Sequence, residues 1–412
     1  MFGHVRRVRR RCIHRSRTVG NAVGRIARRQ RSALTRSLVR VNVSALITTK
    51  YQCAFWFWLW VWGVLGSTVA LVAQEPALTR VPAAQSQQPV VRERLRLWEF
   101  HVHDPWILPH EETRTYYLYT AGRPELLSTN RAGVVTYKSK DMKDWAGPYV
   151  VFMVPDGIWA NPTEGAWAPE VHRYNGRFYL FVTLHNSERI IDRPPDAWRI
   201  THWRGTTIAV ADSPEGPFVV LKTNAPVPPA EFMSLDGTLY IEDGVPWMVY
   251  AHEWVQIIDG TMEAIPLKPD LSDAAGAPIH LFKASDAPWI NAQRKPSKRE
   301  NRYVTDGPEL FRTKTGQLLM LWSSYDKDGY VQTVARSKSG KLAGPWEQLE
   351  PLVRGDSGHG MLFRTFEGQL MLVLHHPFGR NARAKLYDIE DMGDNLRVIR
   401  ARDDLHGQPK TD

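Results

Sequence analysis

The sequence predicts an all-β chain folded as a five-bladed β-propeller, and three observations predict it. Five short apolar runs rich in aromatic and branched residues recur along the body of the chain. Most of them lead into a further strand and a polar turn that closes on Gly-Pro-aromatic. Each is preceded, at nearly one distance, by an ionisable residue. Units of three or four antiparallel strands with no helical crossover stack as propeller blades. A β-sandwich would bury the same runs but would not call for one polar motif at a fixed place in every unit.

The runs are "TYYLYT" from Thr115, "GRFYLFVT" from Gly176, "GVPWMVYA" from Gly244, "GQLLMLWSS" from Gly316 and "GQLMLVLHH" from Gly368. Aligned, they bring Tyr117, Tyr179, Trp247, Leu319 and Met371 into register, with steps of 62, 68, 72 and 52 residues. The strands that follow include "GVVTYKSKDMKDWAGPY", "GTTIAVADSPEGPF" and "GYVQTVARSKSGKLAGPW". Upstream, Asp104 lies 13 residues before Tyr117, Glu170 9 before Tyr179, and Asp236 11 before Trp247. Asp306 lies 13 before Leu319 and His359 12 before Met371. The first strand of a propeller blade lines the central channel, so all five side chains are expected to converge on the axis. That accounts for the acid of "HVHDPWI" standing just ahead of an apolar strand: the neighbouring strand faces a polar funnel.

The propeller is expected over residues 96–405, and what precedes it reads differently. Residues 1–50 hold 14 Lys and Arg and no Asp or Glu. The chain's formal net charge is +10, so residues 51–412 carry −4 and the basic character belongs to the leader. The body shows no basic stripe interleaved with aromatics, which excludes nucleic acid as a partner. "CAFWFWLWVWGVLGSTVALVA", Cys53–Ala73, is uncharged and ends near small residues. With its basic flank, the segment 51–73 reads as an export signal or a retained membrane anchor. A start assigned too far upstream, or an Arg-rich transit peptide, would account for the length of the basic region. Residues 74–95 read as a Pro- and Gln-containing linker. Both cysteines, Cys12 and Cys53, fall in the leader, so the body needs neither disulfides nor thiolate metal ligands. The expected protein is an exported monomer, periplasmic or extracellular, with a tether through 53–73 as the alternative.

Four acids around one cavity repel each other, and burial raises their pKa values, which is costly as structure and useful as acid–base machinery. Glycoside hydrolysis needs such a pair: one carboxylic acid protonates the leaving oxygen while one carboxylate activates water or attacks the sugar. Tryptophans near the motifs (Trp106, Trp167, Trp203, Trp254, Trp289 and Trp322) offer flat apolar faces to sugar rings, although each alone is more often a core residue. Asp212, Asp243 and Asp328 sit in Gly- or Pro-containing turns and read as turn formers. His375 and His376 read as hydrogen-bonded structural residues. "HEW" at 252–254 lacks a partner at metal spacing, which argues against zinc.

At these motifs the sequence resembles glycoside hydrolase family 43, five-bladed arabinofuranosidases, xylosidases and arabinanases. The resemblance covers about His101 to His376. "HDP" at 103–105 matches the family's general-base motif and implies that role for Asp104. "WAPE" at 167–170 resembles the Trp-Ala-Pro-Asp segment near the sugar site. "LDGTLYIEDGVPWMVY" resembles the segment with the pKa-modulating acid, here Asp236. "TDGPELF" resembles the general-acid motif, usually Glu-Gly-Pro, and implies Asp306 as proton donor. "SGHG" resembles the late axial histidine beside a bound calcium or water, here His359, so a structural Ca²⁺ on the axis is expected and no other cofactor. Two departures stand out. The acid position holds Asp, one methylene shorter than Glu, and the Glu170 position is usually Asp. Glu170 and Glu309 are therefore alternative acids; strand alternation would turn Glu309 to the opposite face unless the strand carries a bulge. The expected substrate contacts are Trp106, Trp167, Arg204, Trp322 and Glu309.

The resemblance implies an inverting hydrolase of arabinose- or xylose-containing glycans, and the leader adds the expectation that it is exported. A glycan-binding propeller without catalysis is the second reading, and a related five-bladed fructan hydrolase or glycoside phosphorylase the third. A phosphorylase would want phosphate-binding cations in the funnel, for which Arg204 and Arg302 are the candidates.

Overall fold

The computed structural model describes residues 89–192, 199–293 and 301–408. The basic leader, the apolar segment 53–73 and most of the expected linker lie outside them. Among the described residues no helix is long and apolar enough to cross a membrane.

Five antiparallel sheets follow one another along the chain. Their innermost strands are Trp106–His110, Ala166–Tyr174, Ser234–Glu242, Asp306–Arg312 and Gly358–Arg364. Each of these strands touches the next and the fifth touches the first, so the ring closes on itself. The apolar runs are the second strand of each blade: Thr115–Gly122, Arg177–Asp192, Val245–His252, Leu318–Asp326 and Leu370–His376. The five-bladed propeller is the observed fold. One boundary moves: Arg92–Leu95, at the end of the expected linker, is a strand that pairs with the outer strand of blade one, Trp145–Met153.

The second strands are apolar without a break because both their faces are buried between neighbouring blades. In blade four, Leu318, Met320 and Trp322 pack toward blade three, whereas Leu319 and Leu321 pack toward blade five. In blade two, Tyr179 and Phe181 face blade three while Leu180 and Val182 face blade one. The core is thus a set of seams between blades. The ring is fastened where the ends meet: the Val102 N–H donates to the Ala382 carbonyl (3.1 Å), and Arg383 Nε donates to the Trp98 carbonyl (2.7 Å).

Candidate active site

Each blade presents its innermost strand to the axis through the same local irregularity. In blades two to five a β-bulge sets three residues of the first strand against two of the second, at Trp167/Glu170, Leu235/Thr238, Asp306/Glu309 and Gly358/Met361. The residue two before the end of each bulge has a left-handed backbone: Ala168 (φ 42°), Asp236 (57°), Gly307 (50°) and His359 (50°). Asp104 (51°) holds the corresponding place ahead of the first strand of blade one. A non-glycine residue in this region is uncommon, and its repetition around a ring marks a built feature.

The bulge sorts the axis into three layers. The left-handed layer carries Asp104, Ala168, Asp236, Gly307 and His359. One residue earlier, at the mouth, come His103, Trp167, Leu235, Asp306 and Gly358. Two residues later, deeper in the channel, come Trp106, Glu170, Thr238, Glu309 and Met361. The five ionisable residues read from the sequence therefore do not hold equivalent places. Asp104, Asp236 and His359 do; Asp306 sits one step toward the mouth, and Glu170 two steps deeper.

Three of them meet around the imidazole of a fourth. His359 Nδ1 lies 3.2 Å from Asp104 Oδ1 and 3.8 Å from both Asp236 Oδ2 and Asp306 Oδ1. Gly307 makes the meeting possible, because a Cβ there would stand 2.9 Å from the His359 ring. Its N–H donates to Asp236 Oδ2 (3.1 Å), and the Asp236 N–H donates to Thr183 Oγ1 (2.8 Å).

The surroundings push these acids apart. Burial tends to raise Asp104, but the charges of His103 and His359 outweigh it and hold the carboxyl well below the usual range. His103 Nδ1 is 2.7 Å from Asp104 Oδ1, and its own pKa is raised: burial tends to lower it, but the charge of Asp104 prevails. Asp236 goes the other way. Burial first, then the charge of Asp306 and a hydrogen bond with it, raise Asp236 well above an ordinary carboxyl. Asp236 thus keeps its proton while Asp104 stays an anion. Asp306 also accepts from the Tyr330 hydroxyl at 2.5 Å and is the most exposed of the three acids, at 21% against 14% for Asp104 and 4% for Asp236.

Two groups here had no periodic signal in the sequence. Tyr330 comes from the third strand of blade four, Gly329–Ser337. His375, fully buried at the end of a second strand, accepts the Asp104 N–H on Nδ1 (3.2 Å) and stacks between His103 and Tyr330. Burial lowers its pKa to about 4, so the ring is neutral, a structural role as the sequence indicated. His103 was visible in "HVHDP" but not singled out.

Above this cluster opens a cavity of about 710 Å³ whose lining includes Asp104, Asp236, Asp306, His103 and Trp167. Of the expected sugar contacts, Trp167 is there, 41% exposed. The others are corrected. Trp106 is buried with its indole N–H on the Val171 carbonyl (2.9 Å). Trp322 is fully buried between blades three and four, its N–H on Gln348 Oε1 (3.0 Å). Arg204 lies beneath Trp167, its guanidinium 4.9 Å from that ring, donating to His185 Nδ1 (2.9 Å) and paired with Glu253. Arg302 is spent on the carbonyls of Trp254 and Val255. Trp254 lines the cavity, whereas Trp289 packs on Trp322.

Glu170 and Glu309 belong to the deep layer, around an enclosed space of about 10 Å³, room for about one water. Burial raises Glu170 to about 8, and lowers its partner His172 to about 3, so the 2.9 Å contact between them joins two neutral groups. Burial likewise raises Glu309 well above its ordinary value; it accepts the Leu362 N–H at 2.8 Å. The bulge keeps Glu309 on the channel side, but below His359 and away from the open cavity.

Comparison with known proteins agrees with this geometry. A crystal structure of an endo-arabinase from Bacteroides thetaiotaomicron superposes with a TM-score of 0.63 at 35% identity, over 73% of this chain and 98% of that one. A thermostable family-43 glycoside hydrolase, 19% identical, shares the fold with a TM-score of 0.57 over 81% of this chain and 98% of its own. The extracellular endo-alpha-(1->5)-L-arabinanase 1 of Bacillus subtilis (strain 168) is 24% identical over 173 residues, which span 41% of this chain and 48% of that relative. The family model for glycosyl hydrolases family 43 matches residues 97–390, nearly the whole propeller; the chain belongs to that family and is a glycosidase.

Proposed function

We propose that the protein is an exported, inverting hydrolase of arabinose-containing glycan, with Asp104 as base, Asp306 as acid and Asp236 as the neighbour that keeps the acid protonated. One observation carries this reading: three carboxyls, with Asp104 held ionised and Asp236 held neutral beside Asp306, surround one imidazole at the floor of an open cavity. Asp104 and Asp306 lie within 3.2 and 3.8 Å of the same nitrogen, so their nearest oxygens are no more than about 7 Å apart, a bound compatible with one water between them. A glycan-binding propeller would gain nothing from burying three acids together, which favours the enzyme over the lectin. Arabinose is favoured over xylose by the names of the relatives above. Trp167 supplies the sugar platform, held by Arg204 and Glu253 underneath. Export rests on the leader and on the extracellular relative.

The purified protein should release oligosaccharides from linear arabinan, and NMR of the first product should show the anomer inverted. Activity confined to xylosides or fructans, or a retained anomer, would overturn the respective part. The axial position beside His359 is proposed as a water site. The enclosed space below it has room for about one water. Exhaustive chelation should leave the melting temperature and rate unchanged; a loss restored by Ca²⁺ would put the cation back on the axis.

A further inference from the structure

The mouth of the active-site cavity carries arginines that the hydrolysis of a neutral sugar does not use. Arg123, at the entrance to the helical turn Pro124–Leu127, and Arg380, beside Phe378, line it from blades one and five. Neither has an ion-pair partner among the described residues. Arg199 lines the cavity as well, but its charge bears on Glu253. The carboxyls in the same lining, Asp104, Asp236, Glu253 and Asp306, are at the floor, and Glu253 is paired with Arg204. The contrast is sharp in a body whose net charge is −4. The field of Arg123 falls on its neighbours: with burial, it lowers His101 to about 4, so that histidine adds no charge and needs no counter-ion.

We infer that Arg123 and Arg380 receive a carboxylate on the glycan, so that the preferred substrate is an arabinose-containing chain that also bears uronic acid. The inference rests on the arabinan reading above and names the substrate more narrowly. A guanidinium binds a carboxylate through two parallel hydrogen bonds and loses less hydration than an ammonium in doing so, which suits an arginine left unpaired at a cavity mouth. Free phosphate as a co-substrate shares that chemistry but fits less well. To attack the anomeric carbon it would have to stand where Asp104 activates water, and the anionic Asp104 repels it.

Two measurements test this separately from turnover of arabinan. Tri-galacturonate binding to the D104N protein, followed by calorimetry, should be detectable at low salt and weaken as salt screens it. It should fall at least about tenfold in an R123Q/R380Q background and recover in part with R123K/R380K, which restores charge without the fork. In the active enzyme, kcat/KM on uronate-bearing arabinan should exceed that on the same polymer after carboxyl reduction, and the double variant should erase the difference while neutral arabinan is cut as before. Equal rates on acidic and reduced polymer, with no tri-galacturonate binding, would overturn the inference and leave the arabinanase reading standing. Binding of tri-galacturonate without any cleavage of arabinan would do the reverse. Release of a sugar 1-phosphate when inorganic phosphate is added would reassign the arginines to phosphorolysis.

Discussion

The upper part of the axis, its mouth and left-handed layers, and the deep layer come from the same five blades, two or three residues apart, and both bury carboxyls. Their chemistry is opposite. Around Asp104, Asp236 and Asp306 there are imidazoles, a phenol and an opening to solvent, and Asp104 is held ionised while Asp236 keeps its proton. Around Glu170 and Glu309 there is a sealed space, a neutral His172 and backbone, so both acids stay protonated. Burial alone makes a carboxyl neutral; burial beside a cation makes a base, and burial beside a second acid makes a proton donor. The difference supports placing the proposed catalytic site in the part of the axis where the charges are made unequal.

The largest effect that can break this contrast is at Asp104. Asp104→Asn should lower turnover of every substrate by about 10²–10⁴-fold, the range of a lost general base, whereas Glu309→Gln should leave kcat within about threefold. Comparable losses in both would make the deep layer part of the machinery. Next in size is the acid. Asp306→Asn should cost about 10²-fold or more on glycans and far less on activated aryl glycosides, which leave without a proton. If instead Glu170→Gln showed that leaving-group dependence, the donor would lie in the deep layer. Trp167→Ala is smaller: a rise in KM of about tenfold with kcat nearly kept, read by initial rates across arabino-oligosaccharide lengths. Equal losses in kcat and kcat/KM would mean that Trp167 acts in the transition state.

Much of this was legible in the sequence, and the misreadings along the innermost strands share one cause. The five apolar runs are continuous because the second strand of each blade is buried on both faces, so blade number and order could be counted directly. Asp104, Asp236 and His359 sit at equivalent places and their offsets of 13, 11 and 12 reflect it. Glu170 has an offset of 9, and that shortfall is the trace of the deeper layer. What the sequence does not display is the bulge. It shifts strand alternation by one residue at the functional position, so Trp167 faces the cavity while Trp106 is sealed below, although both lie beside an acid. Asp306 and Glu309 were hard to rank for the same reason. Tyr330 and His375 come from third and second strands, whose approach to the axis has no period to reveal it.

The smallest effect sharpens the contrast through pH. Glu170 ionises at about 8 in the folded protein because of burial, against 4.5 for a free side chain. Below pH 4.5 both the folded and the unfolded chain keep this proton, and the group is indifferent to folding. Between 4.5 and 8 the unfolded chain releases it while the folded one retains it, so stability falls as pH rises, by at most about 1.4 kcal/mol per unit for one group. Above 8 both forms are ionised and the slope ends. Glu170→Gln removes the titration but keeps an amide that can donate to His172. The variant should match the parent in denaturant unfolding at pH 5 and exceed it at pH 8, with Glu309→Gln moving in the same direction. Parallel stability curves for parent and variant would mean that Glu170 is already ionised in the fold, with the proton on His172. The deep layer would then be an ion pair, and the two layers would differ only in their access to solvent.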